Sequence, residues 1–169
     1  MIDNIQHKVK GHIEILLTDK NGNTVDKVED HNIVVNYAKT SIIKCISGGE
    51  QNLFGVLGIQ IGVDVGTGDK FIPEQPIATT GSADMDLLYQ SSGVEVAYPT
   101  EESVLFAITI DGNVLVDAAQ AKFATSQETV DINSSALITG NGNPFSYKRY
   151  PVKVVTRFIN VTIRWILDF

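Results

Sequence analysis

The sequence is poor in the residues from which reactive centres are built. It has one cysteine, Cys45, which excludes an intrachain disulfide. Cys45 sits on the apolar face of a predicted helix, where a small buried thiol is the ordinary reading. There are three histidines, His7, His12 and His31. Without a Cys pair or a His-x-x-x-His spacing they match no metal motif, so no zinc is expected. Basic residues are scarce: 13 Lys and Arg stand against 20 Asp and Glu, a net charge of −7. An acidic surface repels the phosphate backbone, so no nucleic-acid partner is expected. The basic residues nearest to a patch are Lys148, Arg149, Lys153, Arg157 and Arg164, scattered along predicted strands at solvent-facing positions. No run of about 18 apolar residues occurs, which removes a transmembrane helix and a membrane role. The polar start, Met1 to Lys10, lacks the apolar core of a secretory signal.

Catalytic motifs are equally absent. No Gly-x-Ser-x-Gly elbow occurs. Gly62, Gly66 and Gly68 form neither a phosphate-binding loop nor a dinucleotide fingerprint, because no suitable helix follows. Asp84 with Asp86, or Glu101 with Glu102, are local carboxylate pairs on predicted loops. A glycosidase needs two carboxyls facing each other across a sugar. Asp19, Asn21, Asn23 and Asp30 approach a calcium loop, but Thr24 and Asp30 fall where Gly and Glu are required. A hairpin turn is the reading there. The expectation is a protein with no catalytic residue, no cofactor and no metal, so not an enzyme.

What is present is alternation. Ile13, Ile15 and Leu17 alternate along a first strand, the mark of a half-buried sheet position. Asp19-Lys20-Asn21-Gly22-Asn23 is a turn, since Asn-Gly accepts positive φ. A second strand spans about 24–35. The period then changes: Ala38, Ile42, Cys45 and Ile46 recur at helical steps over 36–47, with Gly48-Gly49 as terminator. Leu57, Ile59, Ile61, Val63 and Val65 fall on one face of a strand. Gly58 and Gly62 lie on the other, where a second backbone can approach.

Residues 69–84 are rich in Pro, Thr, Gly and Ser and form a long loop of the contact-making kind. A strand pair follows at 93–98 and 103–111, turning at Pro99 to Glu102, with Val104, Phe106, Ile108 and Ile110 on one face. Val116 to Phe123 reads either as a short helix or as a surface excursion. The C-terminus is the clearest strand: Ile159, Val161, Ile163, Trp165, Leu167 and Phe169 alternate to the last residue.

These signals predict a mainly β fold, an antiparallel β-sandwich of jelly-roll-like type with one short helix near 36–47. The organisation is an extended arm over 1–10 and a single domain over 11–169. The predicted core contains Ile13, Ile15, Ile61, Phe106, Ile108, Ile163, Trp165 and Leu167. The segments without alternation, Met1–Lys10, Lys70–Asp84 and Leu115–Thr129, are the expected contacts. Within them Ile5, Lys70, Phe71, Pro73, Pro76, Val116 and Phe123 are the candidate interface residues.

The order of these pieces resembles a group of small tailed-bacteriophage virion proteins of minor structural, tail or fibre-associated type. The resemblance rests on His31-Asn32-Ile33-Val34-Val35-Asn36 opening a helix and on Ile59 to Gly68 ending in Gly-Thr-Gly. It rests also on Val104 to Ile110, on Ser135-Ala136-Leu137-Ile138-Thr139-Gly140-Asn141-Gly142, and on Val161 to Phe169. Asn133, Ser134 and Ala136 stand where related proteins often carry an acidic residue and a glycine. The resemblance implies a non-enzymatic subunit of the virion, assembled in the host cytoplasm. It would act in the tail, baseplate or fibre-attachment region, with other virion proteins and copies of itself as partners. Capsid decoration is the alternative. A receptor- or glycan-binding module is a further one, for which Phe71, Tyr89 and Tyr147 are the few aromatics on predicted loops.

Overall fold

The computed structural model describes residues 9–34, 36–49, 51–64, 85–91 and 93–169. The chain runs β1 (Lys10–Asp19), β2 (Thr24–Val34), α1 (Asn36–Ile46), α2 (Gln51–Phe54), β3 (Val56–Asp64) and β4 (Met85–Gln90). It continues through β5 (Glu95–Thr100), β6 (Ser103–Asp111), α3 (Gly112–Phe123), β7 (Thr129–Thr139), β8 (Pro144–Thr156) and β9 (Ile159–Asp168). The strands form two antiparallel sheets packed face to face, as alternation along the chain predicts. One sheet has the order β2-β1-β9-β6-β5 and the other β4-β3-β7-β8. They are joined where the end of β2 pairs with β8, at Ile33 opposite Tyr147 and Val34 opposite Ser146.

Register explains the core. Ile13, Trp165 and Phe106 lie side by side across β1, β9 and β6. Ile15, Ile163 and Ile108 make the next row, and Leu17, Val161 and Ile110 the row after it. Ile13, Ile15, Ile163 and Trp165 are fully buried, Leu167 and Phe106 nearly so, and Ile108 is half-buried against them. The facing sheet contributes Ile59, Ile61, Ile132 and Leu137. Burying each such side chain is worth about 1.5–3 kcal/mol. Tyr150 is buried too, and its hydroxyl meets Ser135 Oγ at 3.0 Å and donates to Ser134 O at 3.2 Å. Burial pushes that hydroxyl's pKa far up.

Among the described residues three helices are present where one was expected. α1 falls as predicted and ends through Gly48, at φ +81°, with Gly49 N–H donating to Lys44 O. α3 settles the ambiguity of 116–123 in favour of a helix. Asp111, in an Asp-Gly-Asn sequence that would equally suit a turn, is its N-cap: Asp111 Oδ1 accepts from Asn113 N–H at 2.8 Å. Gly112 is required there, because a Cβ would overlap the carbonyl oxygens of Thr156 and Ile159.

Two strand readings also change. Leu57 leaves the apolar face, because a bulge between Val56 and Gly58 turns it to solvent. Pro99 lies within edge strand β5 rather than in the turn, and an edge tolerates the missing N–H. α1 and α2 sit at the end of the sandwich where β9 finishes, and α3 sits at the end where β9 starts.

Candidate contact surfaces

Charged side chains in this fold are mostly occupied with each other. On β8, Lys148 reaches Asp30 at 2.5 Å and Lys153 reaches Asp26 at 2.7 Å. Arg164 meets Glu14 at 3.0 Å, and Lys27 meets the same carboxylate at 2.8 Å. The Lys27 ammonium is the main reason the Glu14 carboxyl titrates below its ordinary value. Arg157 spends three donors at one place, on Glu128, on Asp117 Oδ1 at 2.6 Å and on Gln120 Oε1 at 3.1 Å. It thereby fastens α3 to the start of β7. Lys148, Lys153, Arg157 and Arg164 are each held by acidic partners.

Of the two carboxylate pairs noted in the sequence, one includes Asp84, which lies outside the described residues. Asp86 pairs with Lys122. Glu101 and Glu102 form the exposed β5–β6 turn. Asp19 closes its own turn: Oδ1 accepts from Asn21 N–H at 2.8 Å and Asn23 N–H at 2.9 Å, and Oδ2 from Asn23 Nδ2 at 2.9 Å. Asp30 is engaged by Lys148. His12 and His31 are cross-strand neighbours in edge contact, with centroids 6.1 Å apart. Among the described residues no three His, Cys, Asp or Glu side chains gather as metal ligands would. No helix among them is long and apolar enough to cross a membrane.

The remaining surface is notable for apolar side chains in water. Ile43 on α1 is 64% exposed, Tyr98 on β5 78% and Phe158 in the β8–β9 turn 74%. At the α1 end an apolar groove of about 250 Å³ opens. Ile42, Cys45 and Ile46 form its helical wall, and Phe106, Leu167 and Phe169 the facing one. Ser41 also lines it; the residue is fully buried, yet its Oγ has no hydrogen-bond partner. At the α3 end a larger and more polar cleft of about 510 Å³ runs between Phe123, Glu128 and Val130.

The expected interface residues divide accordingly. Ile5, Lys70, Phe71, Pro73 and Pro76 lie outside the described residues, as do Asp84 and His7. Phe123 is exposed at the rim of the α3 cleft. Val116 is fully buried on the inner face of α3 beside Leu115 and Ala119, so it is a core residue and not a contact. Tyr147 is likewise no loop aromatic, since it is buried in β8 against Ala136 and Ile138. Tyr98 and Phe158 were missed because each stands alone, one on an edge strand and one in a two-residue turn. The groove was missed because five elements from distant parts of the chain build it. No family model, curated protein or solved structure matches this chain.

Proposed function

We propose that this chain is a non-enzymatic structural subunit of a bacteriophage particle, placed in the tail, baseplate or fibre-attachment region. It holds neighbouring virion proteins and further copies of itself together. The reading rests on the order of sequence signals that the chain shares with small virion proteins. The observation that carries it is apolar exposure on separate sides of a closed fold. Ile43 lies at one end, Phe158 at the other and Tyr98 along an edge. Isolated apolar residues on a surface are common, but bulky ones this exposed are candidates for burial against a neighbour. A module that grips one ligand needs one such place. A subunit within an assembly meets neighbours on several sides. Edge strand β5 carries Glu95 and Pro99, which oppose uncontrolled strand addition and leave side-chain contact as the mode of association.

The test is location. Purified particles are probed for the chain by mass spectrometry and by immunogold labelling. Label confined to the tail or its junctions supports the reading, and label spread over the head moves the chain to the decoration class. Absence from purified particles overturns the proposal. A Tyr98→Lys, Phe158→Asp double variant should fold normally and be incorporated poorly.

A further inference from the structure

We propose that His12 and His31 chelate a divalent transition-metal ion, with zinc as the reference case, on the outer face of the β1–β2 hairpin. The two are far apart in sequence, and the register of the hairpin sets them directly opposite each other. Ile13 is fully buried and side chains alternate along a strand, so His12 and its partner project from the outer face. His12 is half-buried and His31 exposed, which leaves the pair open to solvent. Their rings are in edge contact, with centroids 6.1 Å apart. Directly opposed residues have Cβ atoms about 4.5–5.5 Å apart. Two nitrogens on one tetrahedral zinc stand about 3.4 Å apart, given zinc–nitrogen bonds of about 2.0–2.1 Å. Imidazoles rooted this close reach that spacing by rotation about χ2, which is soft. The backbone need not move.

The surroundings select the kind of ion. Imidazole nitrogen suits zinc, copper and nickel, whereas calcium and magnesium require oxygen. The nearby carboxylates of the same hairpin are engaged: Glu14 with Lys27 and Arg164, Glu29 with Lys27, and Asp30 with Lys148. The backbone beneath the rings is anchored. His31 N–H donates to Asp30 Oδ1 at 2.7 Å, and Lys148 Nζ donates to His31 O at 2.9 Å. His12 has Ile166 of β9 as its register partner on the other side. Paired strands thus hold the two rings together before an ion arrives, which cuts the ordering cost of binding. Two protein ligands leave the other coordination positions to water, so the ion is held more weakly than in a closed four-ligand site. The unfolded chain does not keep the rings together, so an ion bound here stabilises the fold. The pair needs no neighbouring subunit, and this inference stands apart from the assembly role.

Zinc is titrated by calorimetry into the full chain and into His12→Ala, His31→Ala and His7→Ala, with circular dichroism confirming the fold of each. The full chain should take up a single ion, and excess magnesium should not displace it. Either hairpin substitution should weaken binding by about tenfold or more. Each should also abolish the rise in melting temperature that zinc gives the full chain. His7→Ala should do neither. In nitrogen-15 spectra of the full chain, zinc should shift the ring signals of His12 and His31 together. Binding that survives either hairpin substitution, that follows His7 instead, or that magnesium displaces overturns the proposal.

Discussion

The hairpins β1–β2 and β7–β8 close on the same turn and use it in opposite ways. The first turns through Asp19-Lys20-Asn21-Gly22-Asn23 and the second through Thr139-Gly140-Asn141-Gly142-Asn143. In each, the first residue's N–H donates to the fifth residue's carbonyl at 2.9 Å, and Gly22 and Gly142 have φ of +87° and +82°. The second position differs. Lys20 points away and reaches Asp111 Oδ2 at 2.6 Å and Asn160 Oδ1 at 3.1 Å, touching the N-cap of α3 through a long flexible side chain. Gly140 has no side chain, and the backbone of Asn52 in α2 lies where its Cβ would be. The second turn then bonds by backbone: Gly140 N–H to Gly55 O at 3.1 Å and Asn141 N–H to Leu53 O at 3.0 Å. One turn type thus gives an adjustable contact with one helix and a fixed contact with another, decided by a single residue.

Burial follows the same division. In β1 only one face is inside, whereas in β7 every residue from Ile132 to Thr139 is buried. The helices that dock on the second turn also cover the outer face of its strands, where Tyr37 packs against Ala136, Ile138 and Tyr147.

The largest effect should come from beneath the first hairpin. Trp165 is fully buried opposite Ile13. Trp165→Ala should cost roughly 3–5 kcal/mol by leaving a cavity, measured as a lower midpoint in urea at unchanged slope. A loss under about 1 kcal/mol would mean that the β1–β2 hairpin does not depend on the shared core.

Gly140→Ala tests the second hairpin. The methyl group would collide with backbone, which cannot rotate aside, so α2 must move. The expected cost is about 2–3 kcal/mol, with faster hydrogen exchange in α2 and the start of β3. A silent substitution would show that the helix contact is as loose as that of the first turn.

These contrasts set what the sequence discloses. β1, β6 and β9 were legible because one face is wet and the other dry, so Ile13, Phe106 and Trp165 appear at every second position. β7 was not, because burial on both faces and a bulge between Ile132 and Ser134 erase alternation. β4 was hidden by Leu87-Leu88, of which only Leu88 is buried. α3 was obscured by its own N-cap, since Asp-Gly-Asn serves a helix start as well as a turn. The candidate surfaces were least legible. Sequence spacing cannot bring Cys45 to Phe169, and it cannot distinguish Val116, which faces in, from Phe123, which faces out.

The seam between the hairpins should be sensitive to acid. Among the described residues β2 and β8 share two register pairs, and beyond them Asp26–Lys153 and Asp30–Lys148 link the strands. The hydrogen bond from Lys153 lowers the Asp26 carboxyl below its ordinary 3.8, and that from Lys148 does the same for Asp30. A depressed carboxyl contributes its stability fully above the unfolded pKa and loses it as pH falls through the folded one. The melting temperature should therefore hold down to about pH 4 and decline below it. In an Asp26→Asn, Asp30→Asn variant it should start lower at neutral pH and converge with the wild type in acid. Parallel curves would remove the seam from the account.

Lys20→Ala should have the smallest effect. Lys20 and Asp111 are both well exposed, and an exposed pair gains little because water screens it and ordering two side chains costs entropy. The N-cap survives the change, since Asn113 N–H still has Asp111 Oδ1 as its acceptor. Thermal melting should be unaltered in physiological salt. A clear loss would mean that the first turn holds α3 as firmly as the second holds α2, and the distinction between Lys20 and Gly140 would then concern geometry alone, because both turns would be structural clamps.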